Sequence, residues 1–118
     1  GGQHKGETLP EALRRECIEE INADVEVGDL LFVRDYISDH HEFAEANGHV
    51  HELELLFACS LPEGYQPQAG EDPDPGQIGV SWVPLDQLDA VNLYPRVLRY
   101  YLQHLDDPQR LIYLGDVN

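Results

Sequence analysis

Positive charge is scarce in this 118-residue chain, where seven lysine and arginine residues stand against 23 aspartate and glutamate residues. The formal net charge of −16 argues against binding a nucleic-acid polymer or an anionic membrane surface without metal ions. Long apolar runs are also lacking, because none approaches the length of a membrane span. Methionine is absent altogether.

Cysteine is rare as well, with Cys17 and Cys59 the two examples. We expect both to be small, buried apolar residues, and a disulfide between them is the less favoured alternative. The length suits one domain over residues 1–118, and no internal repeat divides it. Since the start does not resemble a signal peptide, a cytoplasmic location is the default expectation.

Residues 1–23 carry most of the functional information. Gly1 is followed by five residues and then Glu7, and after seven more comes the run Arg15-Glu16-Cys17-Ile18-Glu19-Glu20-Ile21-Asn22-Ala23. Glycines in a loop therefore lead into a short helix that is rich in carboxylates.

Local signals fix the limits of this helix. The sequence predicts a helix over about residues 9–21. Thr8 can cap its start, Glu11 completes a capping box, and Pro10 lies in the first turn, where its missing N–H leaves no hydrogen bond unmade. Asn22 suits the left-handed residue that often follows a helix end.

Three carboxylates crowd the end of the predicted helix. Glu16 and Glu20 are four positions apart and share one side, and Glu19 lies beside them. Glu20 also projects within the apolar face of the helix. That face consists of Leu9, Leu13, Cys17 and Ile21. A solvated acidic face is the ordinary interpretation, but like charges at this spacing repel and a carboxylate near a core loses hydration. We therefore expect cations to compensate these charges.

Mg²⁺ suits such an arrangement, and Mn²⁺ is a candidate substitute. Magnesium takes carboxylate oxygens together with water and substrate phosphates, and does not need a full protein cage. It neutralises pyrophosphate oxygens and lowers the pKa of a bound water that attacks phosphorus. The glycines of residues 1–6 let the backbone approach phosphates, and Lys5 is a candidate substrate-binding cation.

The spaced pattern resembles the signature box of the Nudix hydrolases. The resemblance implies that Glu16, Glu19 and Glu20 bind the catalytic metals, and that one of them helps to deprotonate water. It also implies that Arg15 pairs with Glu7 and so positions the catalytic helix. The expected catalytic set is Glu7, Arg15, Glu16 and Glu19.

The resemblance also implies an activity: hydrolysis of a nucleoside diphosphate linked to another group, giving a nucleoside monophosphate and a phosphorylated product. Asn22 replaces the last glycine of the box but tolerates a left-handed conformation, and Ala23 replaces a larger aliphatic residue. Neither change removes a carboxylate. The alternative is a Nudix-like domain that binds a nucleotide, or regulates through it, without cleavage. A calcium-binding module is remote, because the aspartate spacing of a calcium loop is absent.

The fold implied by the resemblance is α/β, a Nudix-type sandwich with a mixed sheet and helices on both sides. In that family two or three strands precede the box, whereas nothing precedes Gly1 here. We therefore expect an N-terminally truncated chain whose open sheet edge is covered by preceding residues or by another chain, as in a homodimer.

Downstream, the hydrophobic pattern predicts strands, a long loop and two helical segments. A turn signal at Asn47 and Gly48 precedes the second strand. The predicted elements are strands at 29–37, 49–61 and 78–83, a loop at 62–79, a helical turn at 85–88 and a helix at 94–105. A loop of that length is uncommon unless it is functional or mobile.

Some Nudix enzymes use a glutamate from the loop before the tryptophan-bearing strand as a metal ligand or base. Glu71 is the nearest positional match and a candidate for substrate binding. A solvated acidic loop that includes Asp72 and Asp74 explains it equally well.

Histidine and tyrosine side chains offer weaker candidates. Zinc binding is one interpretation of the four histidines His40, His41, His49 and His51. Exposed histidines explain the pattern better, because His49 and His51 share a strand face near a turn. Tyr36 and Tyr65 are candidates for stacking on a nucleobase, and structural roles explain them at least as well.

Overall fold

A computed structural model of the chain describes residues 2–42, 44 and 48–118. The regular elements in that part are α1 (Leu9–Ile21), β1 (Glu26–Ile37), a 3₁₀ helix (Ser38–His40), β2 (His51–Ser60), a second 3₁₀ helix (Leu85–Ala90), α2 (Leu98–Tyr101) and β3 (Tyr113–Asp116). The strands form a mixed sheet in the order β2-β1-β3. The predicted α/β class is confirmed.

Helix α1 has the limits that the sequence predicts. The Thr8 hydroxyl accepts the Glu11 backbone N–H at 3.3 Å, and the Glu11 carboxylate accepts the Thr8 backbone N–H at 3.4 Å. Asn22 ends the helix in the left-handed conformation, with φ 53° and ψ 45°. Ala12 is buried, and the predicted apolar face of the helix is half-buried. Local signals at both ends therefore mark where α1 starts and stops.

The two long strands lie close to their predicted positions. Strand β1 begins three residues before the predicted start at Asp29, and β2 lacks the first two and the last of its predicted residues. Gly48 of the predicted turn has φ +67°, a conformation that glycine adopts readily, while Asn47 lies outside the described residues.

The strand predicted over residues 78–83 is wrong, because this stretch forms no regular element. Ile78 is fully exposed and Trp82 is 64% exposed. Aliphatic and aromatic residues favour a strand through packing against cross-strand neighbours, which such exposed side chains lack. Strand β3, which the sequence pattern does not indicate, pairs in parallel with β1, with Val33 opposite Tyr113.

The helix predicted over residues 94–105 is reduced to the four residues of α2. Within α2, the backbone N–H groups of Leu98, Arg99 and Tyr100 each donate to the carbonyl three residues earlier, which is 3₁₀ geometry. Val97 precedes α2 and has no side-chain oxygen that could cap it. The other predicted helical turn extends to Ala90.

The chain divides into two compact units. One consists of Gly1–Asp29 and Phe57–Trp82, and the other of Leu30–Leu56 and Val83–Asn118. Of the described residues, the buried apolar ones in the first unit are Ala12, Ala23 and Val25. Those in the second unit are Phe32, Tyr36, Leu88 and Leu98. The fully buried apolar side chains of the first unit are thus small. The single domain expected from the length stays a prediction.

Candidate active site

The Arg15 side chain contacts several residues of the signature box. Its Nε donates to Glu7 Oε2 at 2.8 Å and its Nη2 donates to Glu7 Oε1 at 3.1 Å, so the predicted pair is present and bidentate. Nη2 also donates to the Gly2 carbonyl at 2.8 Å, and Nη1 donates to Glu19 Oε2 at 3.3 Å. Glu16 Oε1 lies 3.8 Å from Nη2. One guanidinium thus ties the glycine loop to the carboxylates of α1.

The pKa of Glu7 reflects this attachment. The hydrogen bond from Arg15 lowers the pKa of Glu7 to about 2, and the His4 backbone N–H, 2.7 Å from Glu7 Oε1, contributes in the same direction. Glu7 is therefore ionised throughout the neutral range and holds the loop against the helix as an anion.

Lowering the pH should remove the stabilisation that the Arg15–Glu7 ion pair provides, over a defined pH range. Because the folded pKa is depressed, the pair stabilises the fold fully above the ordinary pKa of 4.5, and the stabilisation is lost as pH falls from there towards about 2. The free energy of unfolding, measured by urea titration in steps across that window, should fall more steeply for wild type than for Glu7→Gln. Parallel curves for the two proteins would contradict the role of Glu7.

The three box glutamates have different surroundings. Glu19 is held by Arg15, and the Glu16 side chain is 17% exposed. Burial raises the pKa of Glu20, and a hydrogen bond with Asp74 and the charge of Glu16 raise it further. The loop carboxylate that the structure brings to the box is therefore Asp74. Glu71 is exposed, and its proposed contact with substrate stays a prediction.

The loop over residues 62–79 closes the C-terminal end of α1. The last four carbonyls of any α-helix lack donors from the helix itself. The Asn22 backbone N–H donates to the first of these carbonyls, that of Ile18, at 3.1 Å. The other three, on Glu19, Glu20 and Ile21, receive donors from the loop. The donors are the Asp72 N–H (3.0 Å), the Gly70 N–H (3.0 Å), the Gln77 side-chain amide (2.8 Å) and the Tyr65 hydroxyl (2.5 Å).

Sequence reasoning missed these capping residues. The loop shows only its length, four prolines and four glycines, and none of these features says which residue reaches the helix. One signal was available: the last turn of α1 contains no basic side chain to complement its carbonyls. A helix end without such a side chain needs donors from elsewhere in the chain.

Gly70 packs directly against the backbone of α1. A Cβ atom at this position would lie 2.2 Å from the Glu19 carbonyl oxygen and 2.5 Å from that of Ile18. Both neighbours are helix backbone and cannot move aside as a flexible side chain could. Only glycine fits here without displacing the loop.

Gly70→Ala should therefore destabilise the first unit. Overpacking of this kind costs about 1–3 kcal/mol, which corresponds to a melting temperature lower by at least roughly 3 °C in a protein of this size. Gly79→Ala is the matched control, because a Cβ there meets no atom within 4 Å. Calorimetry that gives the two variants equal melting temperatures would rule out close docking of Gly70.

The end of α1 concentrates negative charge. Glu19 and Glu20 lie at the negative end of the helix dipole, no basic residue occupies the last turn, and Asp74 adds a carboxylate. Among residues 2–42, 44 and 48–118, no three His, Cys, Asp or Glu side chains are grouped so as to hold a metal ion. Mg²⁺ needs only one or two protein carboxylates besides water and phosphate, so this donor set fits that ion.

The other candidate residues of the first unit are a lysine, a tyrosine and two cysteines. Lys5 is exposed in the glycine loop. The Tyr65 hydroxyl bonds the helix end, which favours a structural role over nucleobase stacking. Cys17 and Cys59 are free thiols, and burial raises the pKa of Cys17 to about 11. The expectation that Cys59 is buried is wrong, because it lies exposed in β2.

Four histidines of the second unit, His40, His41, His49 and His51, are paired with aspartates. Asp116 accepts both His40 Nδ1 at 2.7 Å and His41 Nε2 at 2.6 Å, and these contacts hold the pKa of Asp116 well below its usual range. His49 Nδ1 lies 2.9 Å from Asp39 Oδ1, and His51 Nε2 lies 3.0 Å from an oxygen of Asp35. Tyr36 is buried and stacks on His41 at 5.8 Å, which favours a structural role. These pairs account for the histidines without a metal.

No helix in the described part of the chain is both long and apolar enough to cross a membrane.

Comparison with known proteins identifies the family to which the chain belongs. The family model described as NUDIX domain matches residues 1–105. No curated protein and no solved structure gives a significant match. The family match covers most of the chain, including the whole box and the loop that caps α1. This chain therefore belongs to the Nudix family.

Proposed function

We propose that this protein hydrolyses a pyrophosphate bond in a nucleoside diphosphate linked to another moiety, in a reaction that depends on Mg²⁺ or on Mn²⁺ as its substitute. Membership of the Nudix family supports pyrophosphohydrolase chemistry in general. The observation that carries the proposal is the bidentate pair of Arg15 with Glu7, which brings Glu16 and Glu19 to the same guanidinium. A divalent cation would relieve the repulsion among these carboxylates.

Different residues of the chain have different proposed roles in this reaction. Glu16, Glu19 and Glu20 are the proposed metal ligands, and Glu16 and Glu19 are the candidates for accepting the proton of the attacking water. The bound ion supplies charge neutralisation at the phosphates and a lower pKa for that water. Arg15 and Glu7 are positioning residues, because they act by fixing the loop and the box glutamates through their bidentate pair.

The glycine loop is the proposed approach for the phosphates. Gly6 has φ +89°, which lets the chain turn sharply before Glu7, and Lys5 is exposed beside it. The Lys5 ammonium would offset part of the substrate charge in a protein that is strongly acidic overall. The proposed substrate is thus a small nucleotide, not a nucleic-acid polymer, and the proposed location is cytoplasmic.

A substrate panel tests this function. The protein is incubated with nucleoside diphosphates linked to a sugar, to a second nucleoside or to further phosphates, in the presence of Mg²⁺, Mn²⁺ or EDTA. Chromatography should show a nucleoside monophosphate released from at least one class with metal and none with EDTA. Nucleotide binding without cleavage across the panel would instead support a regulatory Nudix-like domain.

A further inference from the structure

We propose that Tyr65 and Gln77 are positioning residues for the metal-binding carboxylate of Glu20, an inference that rests on the proposed function. Both act through the backbone at the end of α1. Gln77 Nε2 donates to the Glu20 carbonyl at 2.8 Å, and the Tyr65 hydroxyl donates to the next carbonyl, that of Ile21, at 2.5 Å.

The Glu20 carbonyl is held from two sides. It accepts the Gly70 N–H at 3.0 Å in addition to the Gln77 amide, so both of its lone pairs are engaged. The last turn of a helix otherwise frays, since its carbonyls have no donor within the helix. Fraying would move Glu19 and Glu20 relative to Glu16, which lies one turn earlier. Contacts to these carbonyls therefore set the distance between Glu16 and Glu20.

Gln77 reaches the helix from a hydrogen-bonded turn. Its N–H bonds the Asp74 carbonyl at 3.1 Å, and Gly76 has φ +91° in the third position of that four-residue turn. Proline second and glycine third is the pairing that a type II turn favours. The first residue, Asp74, meets the Glu20 side chain, and the last, Gln77, binds the Glu20 backbone. The first and last residues of this turn therefore both contact Glu20.

Tyr65 is itself held in place. Its hydroxyl accepts the Gln68 N–H at 3.3 Å while it donates to Ile21, and its ring contacts Trp82 edge-on at a centroid distance of 6.5 Å. Asn22, directly after the helix, donates from its side chain to Gln68 Oε1 at 2.8 Å. The oxygen of Tyr65 therefore belongs to a network that spans the helix end and the loop.

The test is the affinity for Mn²⁺ alone, measured by electron paramagnetic resonance on wild type, Gln77→Leu and Tyr65→Phe. Each variant removes a donor and keeps most of the side-chain volume. We expect each to weaken Mn²⁺ binding about tenfold, as outer-shell partners of metal ligands do, and to change the spectrum of the bound ion. Gln66→Leu is the matched control, since Gln66 is exposed in the same loop.

Glu20→Gln, measured alongside, separates this inference from the function it rests on. Loss of Mn²⁺ binding in Glu20→Gln, with wild-type affinity and spectrum in both Gln77→Leu and Tyr65→Phe, would overturn the positioning role and leave the proposed function standing. Wild-type affinity in Glu20→Gln would overturn the positioning role and remove Glu20 from the proposed metal ligands, whereas the substrate panel alone decides the proposed function. If Gln77→Leu fails to fold, Tyr65→Phe decides alone, because it lacks a single oxygen atom.

Discussion

Glu20→Gln should lower the turnover of substrate by more than about a hundredfold, the upper range for outer-shell partners of a metal, while the fold stays intact. The change removes a charge and hardly alters the volume. Glu20 is half-buried, and its carboxylate meets Asp74 and the charge of Glu16. A neutral amide there would bind a hard divalent ion weakly. The measurement is kcat at saturating Mg²⁺, with circular dichroism as the check on folding.

Glu63→Gln is the control for this prediction. Glu63 is exposed in the loop over residues 62–79 and undergoes the same change of charge. Its turnover should match wild type. Hydrolysis by Glu20→Gln at a rate near that of wild type would remove Glu20 from the metal site.

Mg²⁺ should stabilise the folded protein far beyond the effect of its ionic strength. A cation that binds the native state but not the unfolded chain adds about 2.7 kcal/mol at a hundredfold excess over Kd. For a chain of this size we expect a melting temperature higher by roughly 5–10 °C. Sodium chloride of equal ionic strength only screens surface charges and should give a much smaller shift. The measurement is calorimetry in the two salts.

The same experiment on Glu20→Gln checks the origin of the shift. This variant should lose most of the Mg²⁺-specific part. Without metal it should melt at or above the wild-type temperature, because one of the charges near Asp74 and Glu16 is gone. Equal shifts by Mg²⁺ and matched sodium chloride in wild type would show that the box is not a preformed metal site.

Elements built from local contacts could be predicted from the sequence. Thr8, Glu11 and Asn22 lie within or next to the helix that they delimit, so the limits of α1 could be placed without knowledge of any other element. Elements that need a distant partner could not. Strand β3 depends on β1, from which it is about eighty residues away, and the apolar residues at 78–83 find no such partner.

The candidate site shows the same division. The bidentate pair of Arg15 and Glu7 was expected from the box, because both residues belong to one spaced pattern. The contact of Glu20 with Asp74, in contrast, was not expected from the sequence. The resemblance pointed to Glu71 as the loop carboxylate, which stays a prediction, and the turn that ends in Gln77 brings Asp74 to Glu20. Which loop carboxylate reaches a helix depends on turn geometry and docking contacts, and residue spacing encodes neither.

The position of bond cleavage is the decisive measurement for the proposed hydrolysis. The best substrate of the panel is hydrolysed in isotopically labelled water, and both products are weighed by mass spectrometry. We expect a nucleoside monophosphate and a phosphorylated second product, one heavy oxygen in one of the two, no reaction with EDTA and strongly reduced reaction with Glu20→Gln. Release of orthophosphate alone, or equal cleavage with EDTA, would contradict the proposed hydrolysis.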